Sequence, residues 1–425
     1  MAPDALEESV PGTSKTLDVA SVRIHHRRML IRLLWESGDM SRAEVARQTG
    51  LSRSTVSSIV SELIDRQLVS EIGSGSSSGG RRPILLSLAD NAFVIAGIDV
   101  GASHVAVAIT NLRCEVREWQ HKRHDVRDDP AGTIKLATEM ALDALHSSGL
   151  SFERLIGVGL GMPSPMVEGE PNGLSSVIMP KWAGYDLRQA LRRVIRAPVF
   201  MDNDANLGAL AEHWWGAGRG EKHLVYIKLA TGIGAGLVLN GEVYHGSSGI
   251  AGEVAHTSVE PDGPLCICGQ RGCLGLVTGS AMMLQRVREQ IEAGRESSLT
   301  DGDLTPSRLV EAALAGDGLA VETVQRAGHV IGIGIANLVN VLDPGMVVLG
   351  GELSSAGHVL LGPLVASARS RALSTAIAPT RIVTTQLGER DIVLGAATQV
   401  LREALRDERL LINARPVARP EAVVS

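Results

Sequence analysis

Between residues 21 and 65 apolar side chains recur with a helical rhythm. Leu30, Leu33 and Leu34 mark one face of a helix predicted over residues 26–37, which Gly38 ends. A second helix starts at Ser41. Ser41 and Glu44 have the spacing of a capping box, in which each side chain satisfies the other residue's backbone N–H. Val45 and Ala46 supply its short apolar face, and Gly50 makes the turn. The third helix starts at Ser52, with Val56, Ile59, Val60, Leu63 and Ile64 at i, i+3, i+4, i+7 and i+8. That pattern leaves Arg53, Ser54, Ser57, Ser58 and Ser61 on the opposite face.

The rhythm then shortens. Residues 68–72 and 84–88 read as two strands around a Gly/Ser loop that ends in Gly79, Gly80, Arg81 and Arg82. A hairpin with a basic tip is a wing that can lie along a DNA groove; the same composition also suits a flexible linker. Short hydroxyls and one arginine on the third helix suit close approach to phosphates and base edges in a major groove, against a purely structural bundle. Arg53, Ser54, Thr55, Ser57, Ser58, Arg81 and Arg82 are therefore the candidate DNA contacts.

Further on, two strand–turn–strand units stand well apart. Residues 93–99 and 105–109 flank Gly101-Ala102-Ser103, and residues 224–229 and 235–239 flank Thr231-Gly232-Ile233-Gly234. Glycines in such turns let backbone N–H groups face a phosphate, although glycine-bearing hairpins are common without one. Their recurrence predicts a duplicated architecture with a ligand between its halves.

Composition narrows the picture. The 425 residues suffice for two or three domains, and 47 glycines with only 3% aromatics suit an α/β protein rich in tight turns. No apolar run reaches the length of a membrane span, and the first twenty residues are polar and acidic, without a signal-peptide core. A cytoplasmic chain is expected. Residues 21–82 hold ten Lys/Arg and six Asp/Glu, so a segment of charge +4 precedes a body of −10 within a net −6. The asymmetry is modest and fits nucleic-acid contact at one end.

Three of the four cysteines crowd into eight residues. His256, Cys266, Cys268 and Cys273 have the spacing H-x9-C-x-C-x4-C. One imidazole and three thiolates form a closed tetrahedral set of the structural zinc type, and Gly269 and Gly272 let a short loop wrap the ion. The alternative is a cluster of free thiols. Cys114 reads as a small buried apolar residue. Upstream, Asp202-Asn203-Asp204-Ala205-Asn206 stands at a strand–helix junction. Such residues can cap the helix, or Asn203 and Asp204 can bind neighbouring sugar hydroxyls with Asp204 as a general base. Glu253, in Gly252-Glu253-Val254-Ala255-His256, adds a further hydroxyl acceptor.

The run 52–69 followed by Gly79–Pro83, the zinc-type segment 266–273, and segments 159–165 and 179–187 together resemble the ROK (repressor, open reading frame, kinase) family over residues 23–405. The glycine turns, and residues 332–334 leading into 347–351, resemble the phosphate and adenosine motifs of the actin, Hsp70 and sugar-kinase superfamily. The resemblance implies an α/β chain: a tail at 1–20, a winged helix-turn-helix at 21–88, a two-lobed actin/hexokinase-like (ribonuclease H-like) sensor at 92–405 divided near 200–204, and a tail at 406–425. It implies sugar binding by Asn203, Asp204, Glu253 and His256, zinc on His256, Cys266, Cys268 and Cys273, and Asp204 as catalytic base if the chain were a kinase.

Three departures bear on what the site can do: the first on phosphate binding, the other two on sugar recognition. The first phosphate turn of the family's kinases reads D-x-G-G-T-K, whereas this chain has Asp99, Gly101, Ala102, Ser103 and His104. Ala102 restricts backbone approach, and His104 replaces a fixed cation. The second turn keeps Thr231, Gly232 and Gly234. Gly275 stands where the family has a sugar-binding glutamate, a loss of about 1.5–3 kcal/mol of affinity. Ala255 stands where it has glycine. These features predict a DNA-binding regulator, a repressor in sense, that responds to a sugar or sugar phosphate, makes no use of ATP, and works as a homodimer or homotetramer on a double-stranded operator. An ATP-dependent sugar kinase and a regulator with a vestigial sensor are the alternatives.

Overall fold

The computed structural model describes residues 19–74, 83–149, 154–300, 304–412 and 414. The described residues divide into two compact units: Val19–Ala89 together with Ala404–Ile412, and Asp90–Glu403.

The first unit is a winged helix. Helix α1 (Val19–Ser37) buries Leu30, Ile31 and Leu34, and strand β1 (Met40–Ser41) follows. Helix α2 (Arg42–Thr49) has the expected capping box: the Ser41 hydroxyl accepts from Glu44 N–H at 3.3 Å, and the Glu44 carboxylate accepts from Ser41 N–H at 2.9 Å. Gly50 closes it in the left-handed conformation. Ser52 caps α3 (Arg53–Asp65), whose Val56, Ile59, Val60 and Leu63 are buried. Strands β2 (Val69–Ser74) and β3 (Ile84–Leu88) complete an antiparallel sheet in the order β1-β3-β2. Three features differ from the sequence reading. Residues 406–412, expected as tail, belong to this unit and carry a short helix at Arg409–Ile412. Helix α1 begins seven residues before His26, and β1 supplies a third strand too short to carry a pattern. The tip residues Gly79, Gly80, Arg81 and Arg82 lie outside the described residues.

The second unit repeats one topology twice. Its first sheet comprises β4 (Val94–Val100), β5 (His104–Thr110), β6 (Val116–Arg123), β7 (Leu155–Met162) and β8 (Val199–Asn203), with helices α4 (Pro130–Ser147) and α5 (Leu187–Ile195) as crossovers. Helix α6 (Asp204–Trp214) leads into the second sheet: β9 (His223–Leu229), β10 (Ile233–Leu239), β11 (Glu242–Val243), β12 (Met346–Gly350) and β13 (Arg381–Thr384). Between β11 and β12 lie α7 (Leu274–Thr278), α8 (Ser280–Glu292), α9 (Pro306–Leu314) and α10 (Gly318–Leu342); α11 (His358–Arg371) and α12 (Ser374–Ile377) precede β13. The chain ends with α13 (Asp391–Arg406) and α14 (Arg409–Ile412).

The strand orders are β6-β5-β4-β7-β8 and β11-β10-β9-β12-β13. In each, three antiparallel strands are followed by two parallel ones. This is the predicted duplication of two α/β lobes. The lobes also exchange helices. Helix α6 follows the first sheet but packs on the second, where Ala205 and Ala209 meet Leu224, Tyr226 and Val238. Helix α13 comes last but packs on the first, where Val393 meets Ala106 and Ala108. The two helices cross at Gly395, where an added Cβ would lie 1.9 Å from the Leu207 carbonyl oxygen, so only glycine permits the crossing.

Candidate functional site

The DNA-facing candidates lie on α3. Arg53, Ser54, Ser57 and Ser58 are exposed and Thr55 is half-buried. The N-terminal hydroxyls are tied together: Ser52 Oγ accepts from Thr55 N–H at 3.1 Å and lies 2.9 Å from Ser54 Oγ. Ser58 accepts from Arg23 on α1 at 3.2 Å, and the same guanidinium donates to Glu62 at 3.0 Å. Arg27, one turn further along α1, pairs with both Glu62 and the buried Glu408. These ion pairs tie α3 to α1 and to the C-terminal segment within the same unit.

In the second unit the two sheets bring buried carboxyl groups together. Asp99 is next to last in β4, Asp202 next to last in β8, Asp204 opens α6 and Asp391 opens α13; all four are buried. Asn203 accepts from the N–H groups of Ala205 (2.9 Å) and Asn206 (3.3 Å), and its amide donates to the Ser164 carbonyl at 3.2 Å. Asn203 is thus the α6 cap, with one amide hydrogen left over. Asp204 receives the ammonium of Lys228, from β9, at 2.6 Å. Burial pushes the Asp204 carboxyl up, and Lys228 opposes that shift. The Lys228 ammonium is itself held above its usual range by Asp204 and Asp99, which outweigh its burial. Glu253 is pushed up to about 7 by burial and by the Asp204 charge. Asp391, which accepts from the Tyr226 hydroxyl, is raised by burial to about 7. His245 lies 2.8 Å from Asp202, whose other oxygen accepts from Asn206 at 3.0 Å.

The first glycine turn is filled by its own side chain. His104 Nε2 lies 3.0 Å from Asp99 Oδ2, and the imidazole covers Gly101 so closely that an added Cβ there would lie 2.2 Å from His104 Cε1. Ser103 is exposed. The second turn, with Thr231, Gly232 and Gly234, is open at Gly232, where nothing lies within 4 Å of an added Cβ, whereas one on Gly234 would lie 3.3 Å from the Ala205 Cβ. The departures at Ala255 and Gly275 prove to be paired. A Cβ on Gly275 would lie 2.9 Å from the Ala255 Cβ, so the methyl added at one position occupies the space vacated at the other.

The ligand atoms of His256, Cys266, Cys268 and Cys273 lie within 4.8 Å of one another. His256 follows Glu253 on one short 3₁₀ turn. A tight loop, with Cys266 N–H on the Gln270 carbonyl at 2.8 Å and Gly272 N–H on the Pro264 carbonyl at 3.0 Å, presents the three thiols. Cys268 Sγ to Cys273 Sγ and Cys266 Sγ to His256 Nδ1 are both 3.6 Å. A tetrahedral site with metal–sulfur bonds of about 2.3 Å has edges of about 3.8 Å, so this donor set fits a metal. Cys114 is buried beside Thr398, and burial pushes its thiol up to about 12.

Sequence reasoning missed Lys228, Asp391, Tyr226 and His245. Lys228 had a signal, as the lone cation in the otherwise apolar run 224–229.

Comparison with known proteins agrees with both units. Residues 95–403 match the ROK family, and residues 25–70 match winged helix-turn-helix DNA-binding domains. A putative xylose repressor of Caldicellulosiruptor sp. (strain Rt8B.4) is 30% identical over 395 residues, covering 91% of this chain and 98% of that protein. A glucokinase of Halalkalibacterium halodurans is 36% identical over 276 residues, covering 63% of this chain and 83% of that one. A crystal structure of a ROK family transcriptional regulator, a homolog of the E. coli MLC protein, superposes with a TM-score of 0.75 at 26% identity, covering 92% of this chain and 98% of that one.

Proposed function

This chain belongs to the ROK family, and from that premise we propose that it is a sugar-responsive DNA-binding transcriptional repressor whose second unit senses the sugar without phosphorylating it. The observation that carries the reading is a single chain with a winged helix-turn-helix and a junction whose base-type carboxylate, Asp204, is already paired with Lys228 at 2.6 Å. A general base must be free to accept a proton from the reacting hydroxyl, and an ammonium on the carboxylate opposes that. The glucokinase similarity and the retained Asp204 speak for phosphoryl transfer, while Lys228 and the filled first turn speak against it.

In this reading α3 enters the major groove, with Arg53, Ser54, Thr55, Ser57 and Ser58 toward phosphates and base edges, and the wing residues Arg81 and Arg82 follow the groove. A homo-oligomer presents two such helices to two half-sites. Asp204, Glu253, His256 and the remaining amide hydrogen of Asn203 hold the sugar hydroxyls. Zinc on His256, Cys266, Cys268 and Cys273 supplies folding energy to the loop and fixes the His256 ring beside Glu253. Regulation requires that sugar favour one of two arrangements of the chain that differ in DNA affinity.

The test is fluorescence anisotropy of the whole protein on DNA from upstream of its own gene, at fixed salt, across a panel of sugars. Specific binding weakened by one sugar is expected. Specific binding indifferent to every sugar returns the chain to a regulator with a vestigial sensor. Turnover of ATP with a hexose, lost in Asp204→Asn, makes it a kinase.

A further inference from the structure

We propose that the Cys268–Cys273 pair of the metal loop is an oxidation site: a hydroperoxide converts it to a disulfide, which ejects the zinc and frees the turn that carries Glu253 and His256. The inference rests on the reading of His256, Cys266, Cys268 and Cys273 as a zinc site and gives that site a second input.

A closed structural metal site has no need of an exposed ligand. Here Cys266 and Cys273 are buried and His256 is half-buried, whereas Cys268 is exposed and its neighbour Ile267 is 74% exposed. Cys268 is thus the thiol of the cluster that a dissolved oxidant reaches, and access decides which thiol oxidises. Its partner is close, with Cys268 Sγ 3.6 Å from Cys273 Sγ.

The two sides of the loop are held differently. On the Cys273 side the backbone is fixed: Gly272 N–H donates to the Pro264 carbonyl at 3.0 Å and Leu274 N–H to the Thr257 carbonyl at 2.9 Å. A Cβ on Gly272 would lie 1.6 Å from the Glu260 carbonyl oxygen. The Cys268 side is held by its own short turn, Gly269 N–H on the Cys266 carbonyl at 2.9 Å, and a Cβ on Gly269 would meet nothing within 4 Å. Cys268 therefore has room to swing onto a fixed Cys273. Cys266, two positions away in the chain, would close a strained ring with Cys268.

The chemistry balances with hydrogen peroxide as oxidant. The Cys268 sulfur attacks the peroxide, the O–O bond breaks, water leaves and a sulfenic acid forms. The Cys273 sulfur then attacks the Cys268 sulfur, the S–O bond breaks, a second water leaves and the S–S bond forms. Two thiolates, one peroxide and two protons yield one disulfide and two waters, the sulfurs giving up the two electrons that the O–O bond takes. Only His256 and Cys266 then remain as donors, too few for a closed site. His256 ends the short 3₁₀ turn that Glu253 opens, so that turn loses its anchor with the metal.

The experiment is titration of the whole zinc-loaded protein with hydrogen peroxide. Zinc release is read with a metallochromic dye, thiol state by alkylation and peptide mass spectrometry, and backbone protection by hydrogen exchange. Zinc is expected to leave in step with a Cys268–Cys273 disulfide while buried Cys114 stays reduced. Exchange across residues 253–274 should quicken at least tenfold, and dithiothreitol with added zinc should restore it. Zinc retained after an exposure that oxidises the same concentration of glutathione overturns the proposal. So does zinc lost with Cys268 as a sulfinic acid or paired with any thiol other than Cys273. A protein that takes up no zinc overturns the metal-site reading too and leaves the DNA-binding reading standing.

Discussion

The two glycine turns of the second unit occupy equivalent places in two sheets of identical topology, yet they have opposite characters. The turn between β4 and β5 is closed: His104 folds over Gly101 and pairs with Asp99. The turn between β9 and β10 is open, with Gly232 exposed and free of neighbours. Side chains, not backbone, make the difference. One imidazole covers the backbone of the closed turn, without any change of topology. On the second sheet the same economy acts at the carboxylate, where Lys228 occupies Asp204 and leaves the turn itself untouched.

Breaking the pair on the second sheet should have the largest effect. Lys228→Met leaves Asp204 buried without its partner, and a loss of about 3–5 kcal/mol in urea unfolding is expected. The double variant Lys228→Met/Asp204→Asn should recover most of it, and no recovery would show that Lys228 acts by packing alone.

The closed turn comes next. His104→Ala strips Asp99 of its partner, and a loss of about 1–3 kcal/mol is expected. Gly232→Ala in the open turn should stay within about 0.5 kcal/mol. Equal losses at the two turns would erase the contrast.

The paired departures offer a third measurement. Gly275→Glu should lower the melting temperature, because its Cβ meets Ala255 at 2.9 Å. Ala255→Gly/Gly275→Glu should restore stability and tighten sugar binding by about 1.5–3 kcal/mol, the contribution of a charge-assisted hydrogen bond.

The smallest effect concerns His245, whose imidazole Asp202 holds above its ordinary range. A basic group raised in the folded state contributes stability that is complete below its unfolded value, about 6.5, and disappears as pH rises through the folded value. The stability advantage of the native protein over His245→Gln should therefore shrink between pH 6 and 8. The effect is small, since the side chain is 39% exposed. An advantage that grows with pH would assign the opposite sign.

Local rules carried the sequence reading where local physics decides the structure. The Ser41/Glu44 box, the start of the third helix at Ser52–Arg53 and the strand at Ile84–Leu88 depend on neighbours within four residues or on a period of two, and all are found where expected. The metal-type cluster was legible because ligand spacing in a short loop is itself geometry. What stayed hidden depends on distant partners. The extra turns of α1 carry Arg23, which pairs with Glu62, and one turn on Arg27 pairs with Glu62 and Glu408. Glu408, a buried acid near the chain end, gives no pattern that marks it as part of the first unit's core. The duty of Asn203 as the α6 cap was left undecided because cap and ligand ask for the same residue type.

The helix exchange has a consequence for how the second unit comes into being. The first sheet stays without its covering helix until α13 has been made, since Val393 and Ala108 are about 285 residues apart in the chain, a separation that slows folding. During synthesis the earlier lobe must wait, its apolar face uncovered, for the last helix of the later one. The two lobes are thus obliged to mature together, and a nascent chain stopped before Asp391 is expected to be a client of chaperones instead of a half-built sensor.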